Sequence, residues 1–210
     1  MLPHMPVRIG TGTTQADPRT APSRRRTSIL DRSLNKTRNS EVGLGAFGFL
    51  FSEIIQYTQG RVEGIQDFEQ KLSDLGFGVG VRMLELTMFR EKSLRRETRV
   101  LNILYFIHNV VWKALFGKQA DALEKSTDND DEYMLCDNEP LVNQFISVPK
   151  EMAQFNCNAY IAGVIEGILH GCQCVARVTA HTIPIDHKPL RTVFLIKLGP
   201  EVVQKEEATK

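Results

Sequence analysis

Apolar residues recur along this chain in two rhythms, and the change between them divides it. From Val42 onward, Val42, Ala46, Phe49, Leu50 and Ile54 fall at helical spacing, and Leu44, Phe47, Phe51 and Ile55 fill an adjacent stripe. The pattern predicts a helix, ended by Gly60, that is apolar over more than half its circumference. Such a helix is buried on both sides, or buried on one and docked to a partner on the other. Asp67 is placed to cap a second helix, with Gln70 completing a capping box. Phe68, Leu72, Leu75, Val79, Met83 and Leu86 carry it to about Arg90. Gly76, Gly78 and Gly80 lie inside it, each costing about 1 kcal/mol against alanine, so a bend or a close neighbour is expected there. A third helix is predicted over 98–116, with a core stripe of Val100, Leu101, Leu104, Ile107, His108, Val111 and Leu115 and a stop at Gly117.

Beyond the acidic stretch 121–131, expected to be a loop, the rhythm shortens toward alternation. Residues 133–136 and 144–148 read as short strands around an N-E-P-L turn, and 175–183 and 190–198 as longer ones joined by P-I-D-H-K-P. An apolar helix over 156–170 interrupts them. Helices first, then a small antiparallel sheet with one helix inserted, make an α+β domain.

Composition changes this picture at the ends. The chain of 210 residues is 42% hydrophobic and 24% charged, enough to bury a real core. Its net charge of +1 is unevenly spread: residues 1–40 hold eight arginines and lysines against two aspartates, a surplus of +6, which leaves −5 for residues 41–210. Residues 1–27, rich in Pro, Thr and Arg, are expected to be a disordered basic tail, with R-R-R-T-S at 24–28 resembling a basophilic kinase site. A single domain is expected over 28–200, and a disordered C-terminal tail over 201–210. The start of the chain lacks an apolar signal core, no run reaches the length of a spanning helix, and four cysteines do not make a disulfide scaffold. The expected setting is cytoplasmic.

Candidate chemistry concentrates in F-N-C-N-A-Y-I-A-G-V-I-E-G-I-L-H-G-C-Q-C, residues 155–174. Cys157, at the first turn of a helix, would have a lowered pKa and could act as a nucleophile, with His170, His181 or His187 as base. Against this, no cysteine-protease signature surrounds it, and unpaired cysteines are among the most buried residues. Cys172 and Cys174 form C-x-C, not the C-x₂-C of structural zinc sites. Glu166, alone in an apolar helix, is either a general acid or a carboxylate at a wet edge or beside a cation. Ala159, Gly163 and Gly167 recur every fourth residue as a smooth stripe, which implies close packing against another backbone. No catalytic constellation, metal set or cofactor loop emerges, so no cofactor is expected and the chain is read as a non-enzyme.

Five blocks carry a resemblance: L-F-S-E at 50–53, R-R-E-T at 95–98, V-W-K-A-L-F-G-K-Q-A-D at 111–121, L-V-N-Q-F-I-S-V-P-K at 141–150 and F-N-C-N-A-Y-I-A-G-V-I-E-G at 155–167. In order and spacing the chain resembles the Bet-three-like family of trafficking protein particle (TRAPP) subunits, over about Ile29 to Leu198. The resemblance implies helices packed on one side of a twisted antiparallel sheet. It implies a core subunit of a tethering complex that pairs with a Bet-three subunit through its early helices and meets a sedlin-type subunit at its other end. The complex would promote nucleotide exchange on an early-secretory Rab GTPase, peripherally at ER and cis-Golgi membranes, without nucleic acid. The pairing surface is expected on Phe47, Leu50, Phe51, Ile54, Phe68 and Leu72. The Bet-three subunit carries an acyl chain on a cysteine just upstream of its R-E-T block; here Glu91–Leu94 offers no cysteine, so a covalent lipid is not expected. The alternatives are a cysteine-dependent enzyme using Cys157 and a basic-tail adaptor for acidic surfaces built on Arg24–Arg26.

Overall fold

A computed structural model describes residues 42–90 and 97–208. The expected tail at 1–27, its kinase-like motif and the Glu91–Leu94 stretch lie outside them. Helix α1 spans Leu44–Gln59 and α2 Ile65–Arg90. Then α3, Val100–Phe106, runs through a single wide turn at Ile107–Val111 into α4, Trp112–Phe116. In that turn the Trp112 N–H reaches the Ile107 carbonyl five residues back, so the expected third helix carries one extra residue per turn there. Gly117 ends it in the left-handed conformation, at φ 75°. Strands β1 (Ala122–Lys125) and β2 (Glu132–Asp137), helix α5 (Ala159–Gly171), strands β3 (Ala176–Thr182) and β4 (Thr192–Leu198), and helix α6 (Pro200–Glu207) follow.

The four strands form one antiparallel sheet in the order β1-β2-β4-β3. Alternate residues of β4, Thr192, Phe194 and Ile196, are fully buried, as expected of one face packed on helices. Phe194 meets Trp112 of α4 edge-on at 5.6 Å. Helix α5 lies between α2 and β3, with most of its residues buried, and α1 packs on α2.

Four expectations give way. Asp67 does not cap α2: the helix begins two residues earlier, the Phe68 N–H bonds the Gly64 carbonyl (3.0 Å), and Gln70 donates forward to Asp74 (2.9 Å). Asp67 acts instead as an acid in the first turn, where the helix dipole favours it. The stretch 144–148 is no strand. Residues 141–144 form a tight helical turn instead, with Asn143 accepting from Asn158 just before α5, and the Phe145 ring fits over Gly48 of α1 so closely that a Cβ there would lie 2.8 Å from it. The loop expected at 121–131 contains β1, a strand of four residues (A-L-E-K) too short and polar to show a rhythm, formed because β2 offers it a partner from Ala122↔Cys136 to Lys125↔Tyr133. Residues 200–207 are a helix rather than the start of a disordered tail. Pro200 is suited to the first turn, Val202 is buried, and Glu206 accepts the Val100 N–H (3.2 Å) at the start of α3.

Candidate interaction surface

Helix α1 has two apolar faces with different fates. Its inner face carries Phe51, 1% exposed, stacked on Phe47 at 5.8 Å and edge-on to Tyr160 at 5.5 Å. Phe47 also meets Phe145 edge-on at 6.3 Å, and Ile54 is half-buried beside this group. The outer face carries Phe49, Leu50 and Tyr57, with Phe49 79% and Leu50 60% exposed, and Val42 is exposed just before the helix. On a 100° wheel Ala46, Phe49, Leu50 and Tyr57 share one side, broken only by Glu53. Arg61 lies over the Tyr57 ring, 3.5 Å from its centre, and donates to the Tyr57 carbonyl at 3.0 Å. A contiguous exposed apolar face of this kind is a candidate contact surface.

The residues expected to form a pairing surface therefore separate. Leu50 faces outward. Phe47 and Ile54 are half-buried at the edge of the core. Phe51, Phe68 and Leu72 are interior: Phe68, 2% exposed, stacks on Phe155 at 4.4 Å, and Leu72 is fully buried. An apolar stripe at helical spacing does not tell which side the rest of the chain covers, and here the other helices cover these three. Phe49 and Tyr57 join Leu50 instead.

The small residues of α5 meet those of α2. A Cβ on Gly163 would overlap the Ser73 carbonyl oxygen, and one on Gly167 the Phe77 carbonyl oxygen. From the other side, Cβ atoms on Gly76 and Gly80 would overlap the carbonyl oxygens of Tyr160 and Val164. Both pairs are four residues apart, so they form matching grooves along facing helix sides. Ala159 precedes Gly163 by one turn on the same stripe and is buried. In α2, Gly76 and Gly80 thus serve a close neighbour within an unbroken helix, while a Cβ on Gly78 would meet only the Arg82 side chain of the same helix.

Cys157 sits just before α5, 4% exposed, its thiol donating to Asn143 Oδ1 at 3.1 Å. Burial pushes that thiol up to about 12, and pushes Cys174 up to about 11 with help from nearby Cys172. A thiol at about 12 has roughly a thousandfold smaller thiolate fraction than one at the ordinary 9. Hence iodoacetamide near neutral pH should leave Cys157 and Cys174 unmodified in the folded chain and label them only on unfolding, as read by peptide mass spectrometry. Rapid labelling of Cys157 without unfolding would restore the nucleophile. Asn158, fully buried beside it, donates to Asn143 (2.9 Å), Asn156 (2.9 Å) and Thr192 (3.2 Å), tying the 141–144 turn and β4 to the start of α5. Among the described residues no cluster could hold a metal ion, and no helix is long and apolar enough to cross a membrane.

Two residues that composition left open gain partners. Glu166, half-buried at the edge of an open groove, accepts the Val178 N–H of β3 on Oε2 at 3.1 Å: a wet edge, with a main-chain donor as partner. His108 shares a hydrogen bond with Asn109 Oδ1 at 2.8 Å. The W-K-A-L-F-G-K-Q-A-D block closes around a buried carboxylate. Asp137, 1% exposed, accepts from Trp112 Nε1 (3.2 Å), Lys118 Nζ (2.6 Å) and the Glu139 N–H (3.0 Å). Asp121 accepts the Asn138 N–H at 2.7 Å. Burial alone would raise the Asp121 carboxyl; the hydrogen bonds from Asn138, with Lys118, outweigh it and hold it below the ordinary carboxylate range. The block's spacing is thus a structural joint between α4 and the β1–β2 pair.

Residues 47–199 match the family model of the transport protein particle (TRAPP) component. The chain is 52% identical over 179 residues to trafficking protein particle complex subunit 5 of Dictyostelium discoideum, covering 85% of this chain and 96% of that one. It is 41% identical over 186 residues to subunit 5 of Homo sapiens, covering 89% and 95%. It is 30% identical to subunit 31 of Saccharomyces cerevisiae, covering 80% of each. In structure it is similar to a Naegleria fowleri trafficking protein particle complex subunit 3 covalently bound to palmitic acid, with a TM-score of 0.62 at 18% identity over 76% of this chain and 97% of that one. That likeness concerns the fold, which is the α+β, Bet-three-like arrangement of helices on an antiparallel sheet.

Proposed function

We propose a function from one premise: the chain belongs to the transport protein particle (TRAPP) component family. It is a subunit of the TRAPP trafficking complex, as its relatives' names say of them. Within that complex its task is assembly rather than chemistry. The chain pairs with a Bet-three-type subunit through the outer face of α1, touches a sedlin-type subunit elsewhere, and so helps build the surface on which an early-secretory Rab GTPase exchanges nucleotide. It acts peripherally at ER and cis-Golgi membranes through the complex. What carries this reading is Phe49 and Leu50, large apolar side chains exposed at 79% and 60% on a helix whose other face is already core. Stable interfaces centre on such anchors. The high thiol pKa of Cys157 argues against the enzymatic alternative.

The test is a Phe49→Asp/Leu50→Asp variant of the full chain, co-expressed with its Bet-three-type subunit. Recovery of the pair in affinity purification should drop at least about tenfold, since two buried charges at an interface centre cost several kcal/mol. The variant alone should unfold at the parental temperature and be more soluble. Undiminished recovery of the pair would reject this face as the contact.

A further inference from the structure

Strand β3 ends the sheet, with β4 on one side and no strand on the other among the described residues. In an antiparallel sheet, the main-chain groups of alternate residues point away from the neighbouring strand. Val178 and Ala180 belong to that outward set in β3. Both are engaged by side chains from the helical layer: Glu166 Oε2 accepts the Val178 N–H at 3.1 Å, and Asn156 Nδ2 donates to the Ala180 carbonyl at 3.1 Å and to Thr182 Oγ1 at 3.3 Å. Each side chain is itself positioned. The Asn156 N–H donates to Glu69 Oε1 (2.8 Å) and its Oδ1 accepts the Asn158 N–H (3.0 Å), while Glu166 projects from a helix packed between α2 and the sheet. They line an open groove of about 1170 Å³ between the strand and the two helices.

An open strand edge is a template for pairing with another chain. A second copy of β3 suits this one by symmetry. In an antiparallel pairing centred on Thr179, Val178 of each copy would lie opposite Ala180 of the other, exchanging N–H and carbonyl groups. The groups that such a pair would use first are the two that Glu166 and Asn156 occupy. We propose that Glu166 and Asn156 are edge guards, which close β3 to edge-to-edge pairing with a second copy and so confine assembly to other surfaces. Glu166, one charge in an otherwise apolar helix interior, gains its reason from this role: it satisfies a main-chain donor that would otherwise recruit another strand.

The test uses the full chain carrying Leu50→Asp, so that association through α1 does not enter, whether or not α1 is the partner surface. Glu166→Met keeps the length of the side chain and removes the acceptor. Its Val178 amide should exchange with deuterium about tenfold faster or more than in the parent. Glu166→Met/Asn156→Ala should then self-associate with rising concentration in sedimentation, with the Val178 and Ala180 amides protected again in the associated form. Unchanged Val178 exchange in Glu166→Met overturns the proposal. So does a folded double variant that sediments like the parent, or one that associates with its β3 amides unprotected. If the double variant does not fold, Glu166→Met at high concentration decides by the same two readouts.

Discussion

Gly163→Ala is expected to lower the stability of the chain by about 3 kcal/mol, although alanine is the better helix former by about 1 kcal/mol. The added Cβ would overlap the Ser73 carbonyl oxygen and lie 2.7 Å and 2.8 Å from the Ser73 C and Cα atoms. These are main-chain atoms of a helix, and they cannot swing aside as a side-chain tip would. Relief requires α2 and α5 to separate, which loosens the contacts of Gly76, Gly80 and Gly167 along the same seam and the buried residues Leu72, Ile165 and Ile168 of the two helices. Gly45→Ala on α1 is the control. A Cβ there meets nothing within 4 Å, so the same substitution should stabilise by about 0.5–1 kcal/mol. Urea unfolding followed by circular dichroism measures both. A Gly163→Ala variant as stable as its parent would show that the two helices can part at little cost.

Phe51→Asp is expected to leave almost no folded protein, whereas Leu50→Asp, one residue away, should cost less than about 1 kcal/mol. Phe51 is 1% exposed and packs against Phe47 and Tyr160; Leu50 is 60% exposed. Emptying a buried Phe site costs about 3–5 kcal/mol, and placing an unpaired carboxylate there adds to it, against a whole-domain stability of about 5–15 kcal/mol. Soluble yield and thermal unfolding of the chain alone separate the two variants. If Phe51→Asp folded like its parent and lost only the partner, α1 would be turned the other way, and the assignment of its faces would have to be reversed.

That one-residue difference marks the limit of what the sequence by itself determined. Periodicity was enough to find the helices between Val42 and Arg90, the helical stretch near 98–116, the helix expected over 156–170 and the long strands that became β3 and β4. Glycine spacing was enough to mark 163 and 167 as smooth. These are local signals, carried by side-chain rhythm and main-chain freedom. The ordered blocks of residues between 50 and 167 were enough to indicate the family, which the family model and the relatives confirm.

The tertiary structure decided what local rhythm does not contain. It put Phe51, Phe68 and Leu72 inside and left Phe49, Leu50 and Tyr57 outside, because which face of an all-apolar helix is covered depends on the helices that dock there. β1 exists because β2 offers a ladder to four residues that show no pattern alone. The stretch 144–148 is not a strand because the turn at 141–144 leads into it, pinned by Asn158 on Asn143, and Phe145 packs over Gly48 of α1. Cys157 is a buried thiol with a raised pKa because the fold covers it, and Glu166 has a main-chain donor for a partner because β3 ends the sheet beside it. In each case the deciding contact joins residues far apart in sequence, so only the packed chain brings together the groups whose burial and hydrogen bonding settle the outcome.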